Sequence, residues 1–393
     1  MNKYFIFASD ARSYLELINV VRELKNQNQQ YFFLYNLNPK TLAPHAELDK
    51  FNYDTIITEK SDLIKIPNLG FDLHFKPDIV LMTRESWSPE KELIVNFKML
   101  GSLVCCLENS NSWFYNNIKT RLEILSRMRF PSNIIDKHFD HSEWLFDTKK
   151  LAGWVNFKSD IVGIPKFDDI YENIDIDYVV DKYNLNVNKK NVLVFGSLEK
   201  QMRPNILSEV RYIKNNLSND FEILYRPHPQ EFNKYKEDFY PKFCIDDIKV
   251  IDNDLDVKSI AYLSDFHLSM FQGVTHYSLM FDKKVIIPRD NFGVKTEMDI
   301  DIFKEKEFEF WSGVFNIKSW DEFKKIIDLD LLEQFIIRYD KWWNDISNSL
   351  DIYDRNLNWT LDNKPSLKYF DDFNDQKASV RLVDKMKTMV GVI

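Results

Sequence analysis

Short apolar runs alternate with amphipathic segments along most of the chain, and this alternation predicts an α/β fold. Residues 4–8 form an apolar run typical of a buried strand. Residues 11–25 follow as a helix, with apolar side chains at helical spacing at Leu15, Ile18, Val21 and Leu24. Further strands are predicted at 31–35, 55–58, 78–83 and 102–107, and a helix at 88–100 that stops at Gly101. Strand, helix and strand in succession open a parallel, doubly wound sheet.

The second half of the chain repeats this rhythm after an acidic, polar stretch at 169–190. Strands are predicted at 192–195, 221–225, 248–251, 266–270 and 285–288, with helices at 204–216, 257–263 and up to 281. We therefore predict two Rossmann-like α/β domains with a cleft between them. The expected limits are 1–170 for the N-terminal domain, 171–190 for a linker, 191–335 for the C-terminal domain and 336–393 for helices that pack back on the body.

The last segment, residues 380–393, has an amphipathic pattern with two interpretations. Basic side chains alternate with apolar ones on opposite helix faces: Arg381, Lys385 and Lys387 against Leu382, Met386 and Met389. The first interpretation is a terminal helix packed on the body of the protein. The second is an amphipathic helix lying on a membrane surface.

Composition indicates a globular protein that does not bind nucleic acid. Of 393 residues, 44% are hydrophobic and 15% aromatic, and the formal net charge is −9. A general nucleic-acid binder would show a basic surface instead. Cys105, Cys106 and Cys244 are expected to be reduced core residues of a cytosolic protein. Since no stretch approaches the ~20 apolar residues of a membrane span, we expect a cytoplasmic protein that is either free or peripherally attached to the inner membrane.

The predicted strand at 221–225 ends in Arg226-Pro227-His228-Pro229. Proline fixes φ and cannot continue a sheet ladder, so the strand stops here. Arg226 and His228 are then held on a stiff turn at the carboxyl end of a strand, where ligands bind in open α/β sheets. A guanidinium and an imidazole in this place suit a phosphate group, although a rigid surface turn without a ligand would show the same residues.

Two other strand ends add candidate ligand-binding groups. Gly196 and Ser197 follow the strand at 192–195, where a glycine lets backbone amides approach a ligand closely. The loop at 272–278 follows the strand at 266–270 and opens a helix; its Thr275 and Ser278 hydroxyls are potential phosphate donors. A simple helix cap is the alternative. The predicted nucleotide-binding set is Gly196, Ser197, Arg226, His228, Pro229, Gln272, Gly273, Thr275 and Ser278.

Three segments, in this order, resemble motifs of the GT-B glycosyltransferases of bacterial surface-polymer synthesis. Gly163, Pro165 and Asp168 match the spacing of the turn that precedes the interdomain linker in those enzymes. The Arg-Pro-His-Pro segment is similar to the histidine–proline motif of transferases with cytidine-activated donors, among them capsule Kdo transferases, sialyltransferases and CDP-glycerol glycerophosphotransferases. The segment at 273–282 resembles the Ser/Thr-rich loop that holds the donor phosphate in the same families.

The resemblance implies a GT-B enzyme that works without a metal ion or other cofactor. Its partners would be a nucleotide-activated sugar donor, CMP- or CDP-linked, and a glycan or glycolipid acceptor whose hydroxyl receives the sugar. Three alternatives stay open: a glycerophosphotransferase of the CDP-glycerol type, an enzyme like UDP-N-acetylglucosamine 2-epimerase, and a non-catalytic subunit of a glycan-assembly complex.

An inverting transfer also needs a general base that deprotonates the acceptor hydroxyl. Asp10, Glu85 and Glu108 each follow a predicted strand of the N-terminal half, and His138 is a fourth candidate. Glu85 and Asp10 rank first because each also stands beside the start of a helix. The predicted catalytic set is therefore Glu85, Asp10 and His228, although caps and surface groups occur at such positions as well.

Overall fold

The computed structural model describes residues 2–36, 52–56, 64–65, 72–83, 88–108, 134–143, 145–146, 158–196, 210, 221–227, 248–252, 257–268, 275–288, 351–353, 371–373 and 375–390. Within these residues the chain forms two larger sheets, each flanked by helices, and one small two-stranded sheet. The helix predicted at 204–216 lies outside the described residues, apart from Val210.

The strands of the N-terminal half are β1 (Lys3–Ala8), β2 (Gln30–Tyr35), β3 (Asn52–Ile56), β4 (Ile64–Lys65), β5 (Asp72–Leu73), β6 (Ile79–Met82), β7 (Leu103–Leu107), β8 (Lys137–Asp140) and β9 (Ser159–Ile161). Seven of them form one sheet in the order β3-β2-β1-β6-β7-β8-β9, while β4 and β5 pair separately. All neighbours in the large sheet are parallel except β2 and β3.

Helix α1 (Ala11–Asn26) packs on this sheet through the buried side chains of Leu17, Val20, Val21 and Leu24. The predicted apolar face was wrong at Leu15, which is 52% exposed. Helical spacing alone does not tell which of two adjacent apolar stripes meets the sheet. The predicted end of helix α2 (Ser88–Met99) is confirmed, since Gly101 follows it in the left-handed region at φ +76°.

The core of the N-terminal sheet has two sides, and alternate residues of β1 point to each. Tyr4, Ile6 and Ala8 belong to the cluster that α1 covers together with helix α6 (Ala378–Val390). Phe5 and Phe7 belong to the cluster that α2 covers. Each of these strand residues is at most 1% exposed, so β1 is an internal strand that is covered on both faces of the sheet.

The apolar face of α6 is used for packing within the protein. Leu382, Val383 and Met386 are fully buried against α1, which confirms the interpretation of a terminal helix packed on the body. Its basic residues pair with nearby carboxylates: Arg381 Nη1 lies 2.6 Å from Asp375 Oδ2. Among the described residues, we find no helix with both the length and the apolar character needed to cross a bilayer.

The C-terminal half contains β10 (Lys190–Phe195), β11 (Phe221–Arg226), β12 (Ile248–Val250), β13 (Phe266–Leu268), β14 (Lys284–Pro288) and β15 (Asp351–Tyr353). They form a sheet in the order β12-β11-β10-β13-β14-β15, in which all neighbours are parallel. The remaining described helices are a 3₁₀ turn (Pro165–Phe167), α3 (Ile176–Tyr183), α4 (Val257–Leu263) and α5 (Thr275–Met280). The prediction of two α/β units is confirmed.

Strand β3 differs from its predicted position, and β4, β5, β8 and β15 were not predicted. The strand expected at 55–58 lies at 52–56 and runs antiparallel at the edge of the sheet. Residues 137–140 form the internal strand β8, although hydrophobicity did not predict a strand there. Asp140 is fully buried, and its Oδ2 accepts a hydrogen bond from the Ser159 hydroxyl at 2.6 Å. Because such polar side chains are satisfied by distant partners, an apolar pattern does not reveal this strand.

The segment after β9 turns sharply at Gly163, as predicted from its glycine and proline. Gly163 has φ +86°, and a Cβ atom there would lie 2.9 Å from Asp371 Oδ1 and 3.0 Å from Arg381 Nη2. Arg381 Nε donates to the Val162 carbonyl at 2.9 Å, and the Ile164 amide donates to Asp371 Oδ2 at 3.1 Å. Any larger residue than glycine would displace the groups that hold α6 here.

The carboxylate of Asp168 caps α6 from a distant part of the sequence. Its Oδ1 accepts from the Ala378 amide at 2.9 Å and its Oδ2 from the Ser379 amide at 2.6 Å. The first amides of a helix have no partner within the helix. Asp168 therefore ties the segment that connects β9 to α3, called the connecting segment below, to the terminal helix α6.

We expect Asp168→Ala to lower the free energy of unfolding by about 1–2 kcal/mol, because two helix-start amides lose their acceptor. Urea unfolding followed by circular dichroism measures the change. Asp168→Asn is the matched control, since its side-chain oxygen can still accept from one amide. Its free energy of unfolding should fall clearly less than that of Asp168→Ala. Equal losses in the two variants would contradict the capping role.

Candidate functional site

The carboxyl edge of the C-terminal sheet carries the sequence-predicted site. Successive strands are added on one side of β10 as far as β12 and on its other side from β13 onward, so the strand order reverses beside β10, with β11 on one side and β13 on the other. Ligands of open α/β sheets bind at such a switch point, outside the carboxyl ends of the strands. Gly196 follows β10 and Pro227 follows β11, so both predicted strand ends reach this edge.

Gly196 and Arg226 are brought into direct contact. Phe195 and Arg226 are register partners in the parallel β10–β11 pair, and the Gly196 amide donates to the Arg226 carbonyl at 2.8 Å. The amide of Gly196 is thus used by the extended sheet ladder. Arg226 is half-buried at the carboxyl end of β11.

Ser278 is fully buried in α5, and its hydroxyl lies 2.5 Å from Nδ1 of His267 in β13. The other ring nitrogen, Nε2, lies 3.0 Å from the Ala261 carbonyl. Since a carbonyl oxygen can only accept, Nε2 carries the hydrogen, and Nδ1 of the neutral ring accepts from Ser278. The Ser278 proton is directed into the protein, and the phosphate contact predicted for Ser278 stays a prediction.

Burial lowers the pKa of His267 to about 3, with a smaller opposing effect of the Ala261 carbonyl and a further lowering by the Lys283 ammonium. The imidazole is therefore neutral at physiological pH, which agrees with its hydrogen-bond pattern. The ring also meets Phe195 edge-on, with centroids 5.6 Å apart at 88°.

Several predicted groups lie outside the described residues. These are Ser197, His228, Pro229, Gln272, Gly273 and Glu85, and of Thr275 only the backbone is described, as the first residue of α5. Their roles stay predictions.

Two of the candidate carboxylates, Asp10 and Glu108, lie at the carboxyl edge of the N-terminal sheet. Asp10 follows β1 and Glu108 follows β7, and both side chains are buried, at 7% and 5% exposure. Asp10 Oδ1 accepts from the Ser13 amide at 2.7 Å and so caps α1. The role of Asp10 as a general base stays a prediction beside this observed capping role.

A buried ion pair beside this edge was missed by sequence reasoning. Lys166 Nζ lies 3.2 Å from Glu16 Oε1, and the two side chains are 8% and 0% exposed. Burial lowers the pKa of Lys166, and the Glu16 carboxylate opposes that shift. One signal was available: Glu16 precedes Val20 by one helical turn, and an acidic residue on an apolar helix face needs a partner.

His141, which follows β8, is a second buried group that the sequence did not indicate. It is 4% exposed, and burial lowers its pKa against the opposing effects of Glu16, Glu108, Asp371 and Asp140. Polar residues at the carboxyl edge of the N-terminal sheet are therefore more numerous than predicted, and include His141.

The segment at 165–171, which connects the two halves of the chain, contacts helix α5 directly. The Phe167 ring meets Tyr277 of α5 edge-on at 5.3 Å between centroids, and His276 at 5.9 Å. The Tyr171 hydroxyl donates to the Met280 carbonyl at 3.0 Å. Since Lys166 is paired with α1, consecutive residues of one turn contact both halves of the chain.

No protein-family model matches the chain, and no curated protein sequence matches it either. Solved structures do resemble it. Staphylococcus aureus MnaA, solved with UDP, gives a TM-score of 0.59 at 16% identity, covering 100% of this chain and 98% of that chain. The UDP-GlcNAc 2-epimerase of Methanocaldococcus jannaschii gives 0.57 at 14% identity, covering 98% of this chain and 99% of that chain.

A variant of the wall teichoic acid polymerase TagF gives a TM-score of 0.54 at 12% identity, covering 99% of this chain and 89% of that chain. At such identities the likeness shows the fold alone. The chain thus has the two-domain α/β architecture of GT-B epimerases and transferases, as the motifs predicted.

We expect the His267 imidazole to stay neutral between pH 8 and pH 5, because its pKa is lowered to about 3. The unfolded chain takes up this proton below about pH 6.5, so the contribution of His267 to stability is present above that pH. It is lost as pH falls toward 3, at up to about 1.4 kcal/mol per pH unit.

Long-range ¹H–¹⁵N NMR of the imidazole nitrogens measures this directly, with the His267→Gln variant used for assignment. The same protein in concentrated urea is the control, in which the ring should titrate normally. A titration of His267 near pH 6.5 in the folded protein would show that the ring is not enclosed as described.

Proposed function

We propose that this chain is a nucleotide-sugar enzyme of the GT-B type that transfers a sugar to a hydroxyl of a bacterial surface-glycan precursor. The donor is nucleotide-activated, with a CMP or CDP leaving group favoured by the Arg-Pro-His-Pro motif. The acceptor is a precursor of a capsule, lipooligosaccharide or similar glycan on the cytoplasmic side of the membrane. The observation that carries the proposal is the meeting of Gly196 and Arg226 at the switch point of a parallel sheet, where Arg226 opens that motif.

The chemistry follows from charge that grows on the leaving nucleotide. The bond between the anomeric carbon and the phosphate oxygen breaks, and its electron pair stays on the phosphate. The guanidinium of Arg226 and the imidazole of His228 would stabilise that charge by hydrogen bonds. Such donors act most strongly when the fold holds them in place before the reaction. A phosphate site of side-chain cations needs no metal ion.

The acceptor hydroxyl would attack from the side of the N-terminal sheet. Its proton passes to a base at the carboxyl edge of that sheet, where Asp10 and Glu108 are buried. Glu85, which follows β6 in the sequence, remains a further candidate. In this proposal the N-terminal domain binds the acceptor and the C-terminal domain binds the donor.

Epimerisation of UDP-N-acetylglucosamine is the second candidate function. It is favoured by the structural likeness to MnaA and to the archaeal 2-epimerase, whose TM-scores of 0.59 and 0.57 exceed the 0.54 of TagF. The TagF likeness in turn supports the CDP-glycerol alternative, in which the transferred group is glycerol phosphate. The transferase proposal keeps first place because the Arg-Pro-His-Pro motif matches transferases with cytidine-activated donors.

We expect one of CMP, CDP and UDP to bind the purified protein, because Arg226 and His228 are cationic or hydrogen-bonding groups at a strand end. Isothermal titration calorimetry with each nucleotide measures the dissociation constant. Arg226→Gln should weaken binding by about tenfold, since a charge-assisted hydrogen bond to phosphate is lost. If none of the three nucleotides binds, both the transferase and the epimerase proposals fail.

In the transfer reaction we expect His228→Ala to lower turnover by about 10²–10³-fold with the fold unchanged, the usual loss when a group that stabilises developing charge is removed. A donor screen with CMP-, CDP- and UDP-linked substrates, with and without glycan acceptors, identifies the reaction. Conversion of UDP-N-acetylglucosamine to its 2-epimer without an acceptor would favour the epimerase. Full turnover of His228→Ala would exclude the proposed role of His228, whereas no turnover of the unsubstituted protein with any donor and acceptor would favour a non-catalytic subunit.

A further inference from the structure

A polar pair lies directly behind the strand ends of the candidate site. His267 occupies the middle of β13, between the buried residues Phe266 and Leu268, and is itself fully buried. A polar ring in a central strand costs desolvation unless its nitrogens are bonded. Both nitrogens are bonded here, to Ser278 at 2.5 Å and to the Ala261 carbonyl at 3.0 Å. An apolar side chain would fill the same volume without fixing how α4 and α5 are oriented against β13.

The contacts of this ring join three elements that border the site. Nε2 reaches the Ala261 carbonyl of α4, and Nδ1 reaches the Ser278 hydroxyl of α5. The ring face meets Phe195, the last residue of β10, immediately before Gly196. Gly196 in turn donates to the carbonyl of Arg226. The ring therefore contacts the last residue of β10 directly, and the end of β11 is linked to it through Gly196.

The end of α5 is held by the same residue that bonds the ring. The Ser278 carbonyl accepts from the Lys283 amide at 2.8 Å, where Asp282 turns the chain with φ +55°. Ser278 thus combines a side-chain bond into the sheet with a backbone bond that closes the helix. A hydrogen-bonded pair at this point fixes both the distance and the rotation of α5 against β13.

We propose that His267, acting through Ser278 and Phe195, is a positioning residue of the donor site. It holds α5 and the end of β10 in one arrangement, so that the phosphate-binding groups at the strand ends are in place before the nucleotide arrives. This role rests on the proposed function, and it gives Ser278 a structural partner instead of a direct phosphate contact. Binding groups whose own supports are fixed lose less affinity to reorganisation.

Four variants separate this role from general stability. Ser278→Ala removes the hydroxyl that bonds Nδ1. His267→Gln keeps an amide near the place of Nε2 and so keeps the link to Ala261, whereas His267→Asn keeps a polar atom near the place of Nδ1 and so keeps the link to Ser278. Ser264→Ala is the matched control: Ser264 is fully buried, and its hydroxyl donates to the Ile260 carbonyl of α4 at 2.8 Å without contacting α5.

The measurement is calorimetric titration with whichever of CMP, CDP and UDP the unsubstituted protein binds most tightly, together with the melting temperature of each variant. We expect Ser278→Ala and His267→Gln to raise the nucleotide dissociation constant by about three- to tenfold, the range of one lost hydrogen bond. His267→Asn keeps the link to Ser278 but loses the ring contact with Phe195, so its dissociation constant should lie between those of the unsubstituted protein and His267→Gln. Ser264→Ala should lower the melting temperature and leave the dissociation constant unchanged.

The double variant Ser278→Ala with His267→Gln should bind no more weakly than either single variant, because both remove the same link. Equal affinity in all variants would overturn the positioning role and leave the proposed function standing. A loss of nucleotide affinity in Ser264→Ala as large as that in Ser278→Ala would also overturn the positioning role. If the unsubstituted protein binds none of the nucleotides, the proposed function fails, and the positioning role fails with it. If His267→Gln does not fold, the comparison of Ser278→Ala with Ser264→Ala still tests the positioning role.

Discussion

One carboxylate between the two sheets, that of Asp168, holds the end of the chain against its beginning. Burial raises its pKa, and the groups that oppose this rise are Ser379, Ala378 and Arg381, all on α6. The carboxylate and the helix therefore stabilise each other: the helix-start amides need an acceptor, and the desolvated acid needs donors. With α6 in place, Leu382, Val383 and Met386 cover α1 and complete one side of the N-terminal core.

The same connecting segment also contacts helix α5, which borders the proposed phosphate site. Lys166 is paired with Glu16 of α1, while its neighbour Phe167 packs on His276 and Tyr277 of α5. Breaking a buried ion pair by removing one partner is costly, because the other charge is left without compensation. The turn at 165–167 is thereby held on the N-terminal side by the ion pair and on the C-terminal side by aromatic contacts.

Polar groups buried inside the two sheets constrain how the surrounding elements pack. Asp140 and His267 sit in internal strands, and each is satisfied by a residue from another element. Such groups cost free energy unless their partners are well placed, so they select one arrangement of the elements around them. At the C-terminal edge this selection concerns α5 and β10, the elements that border the proposed phosphate site.

The sequence by itself determined the α/β class, the helix starting at Asp10 and the positions of Gly196 and Arg226 at strand ends. Each of these follows from local periodicity, from turn residues and from the rule that parallel strands end at one edge. Only the tertiary structure decided that β3 is antiparallel, that β8 is a strand, that Glu16 pairs with Lys166 and that the Ser278 hydroxyl points to His267. The physical reason is that apolar burial leaves a periodic trace in neighbouring residues, whereas the partner of a buried polar group lies far away in the chain. Glu16 and Lys166 are distant in sequence, and nothing in either local pattern specifies the other.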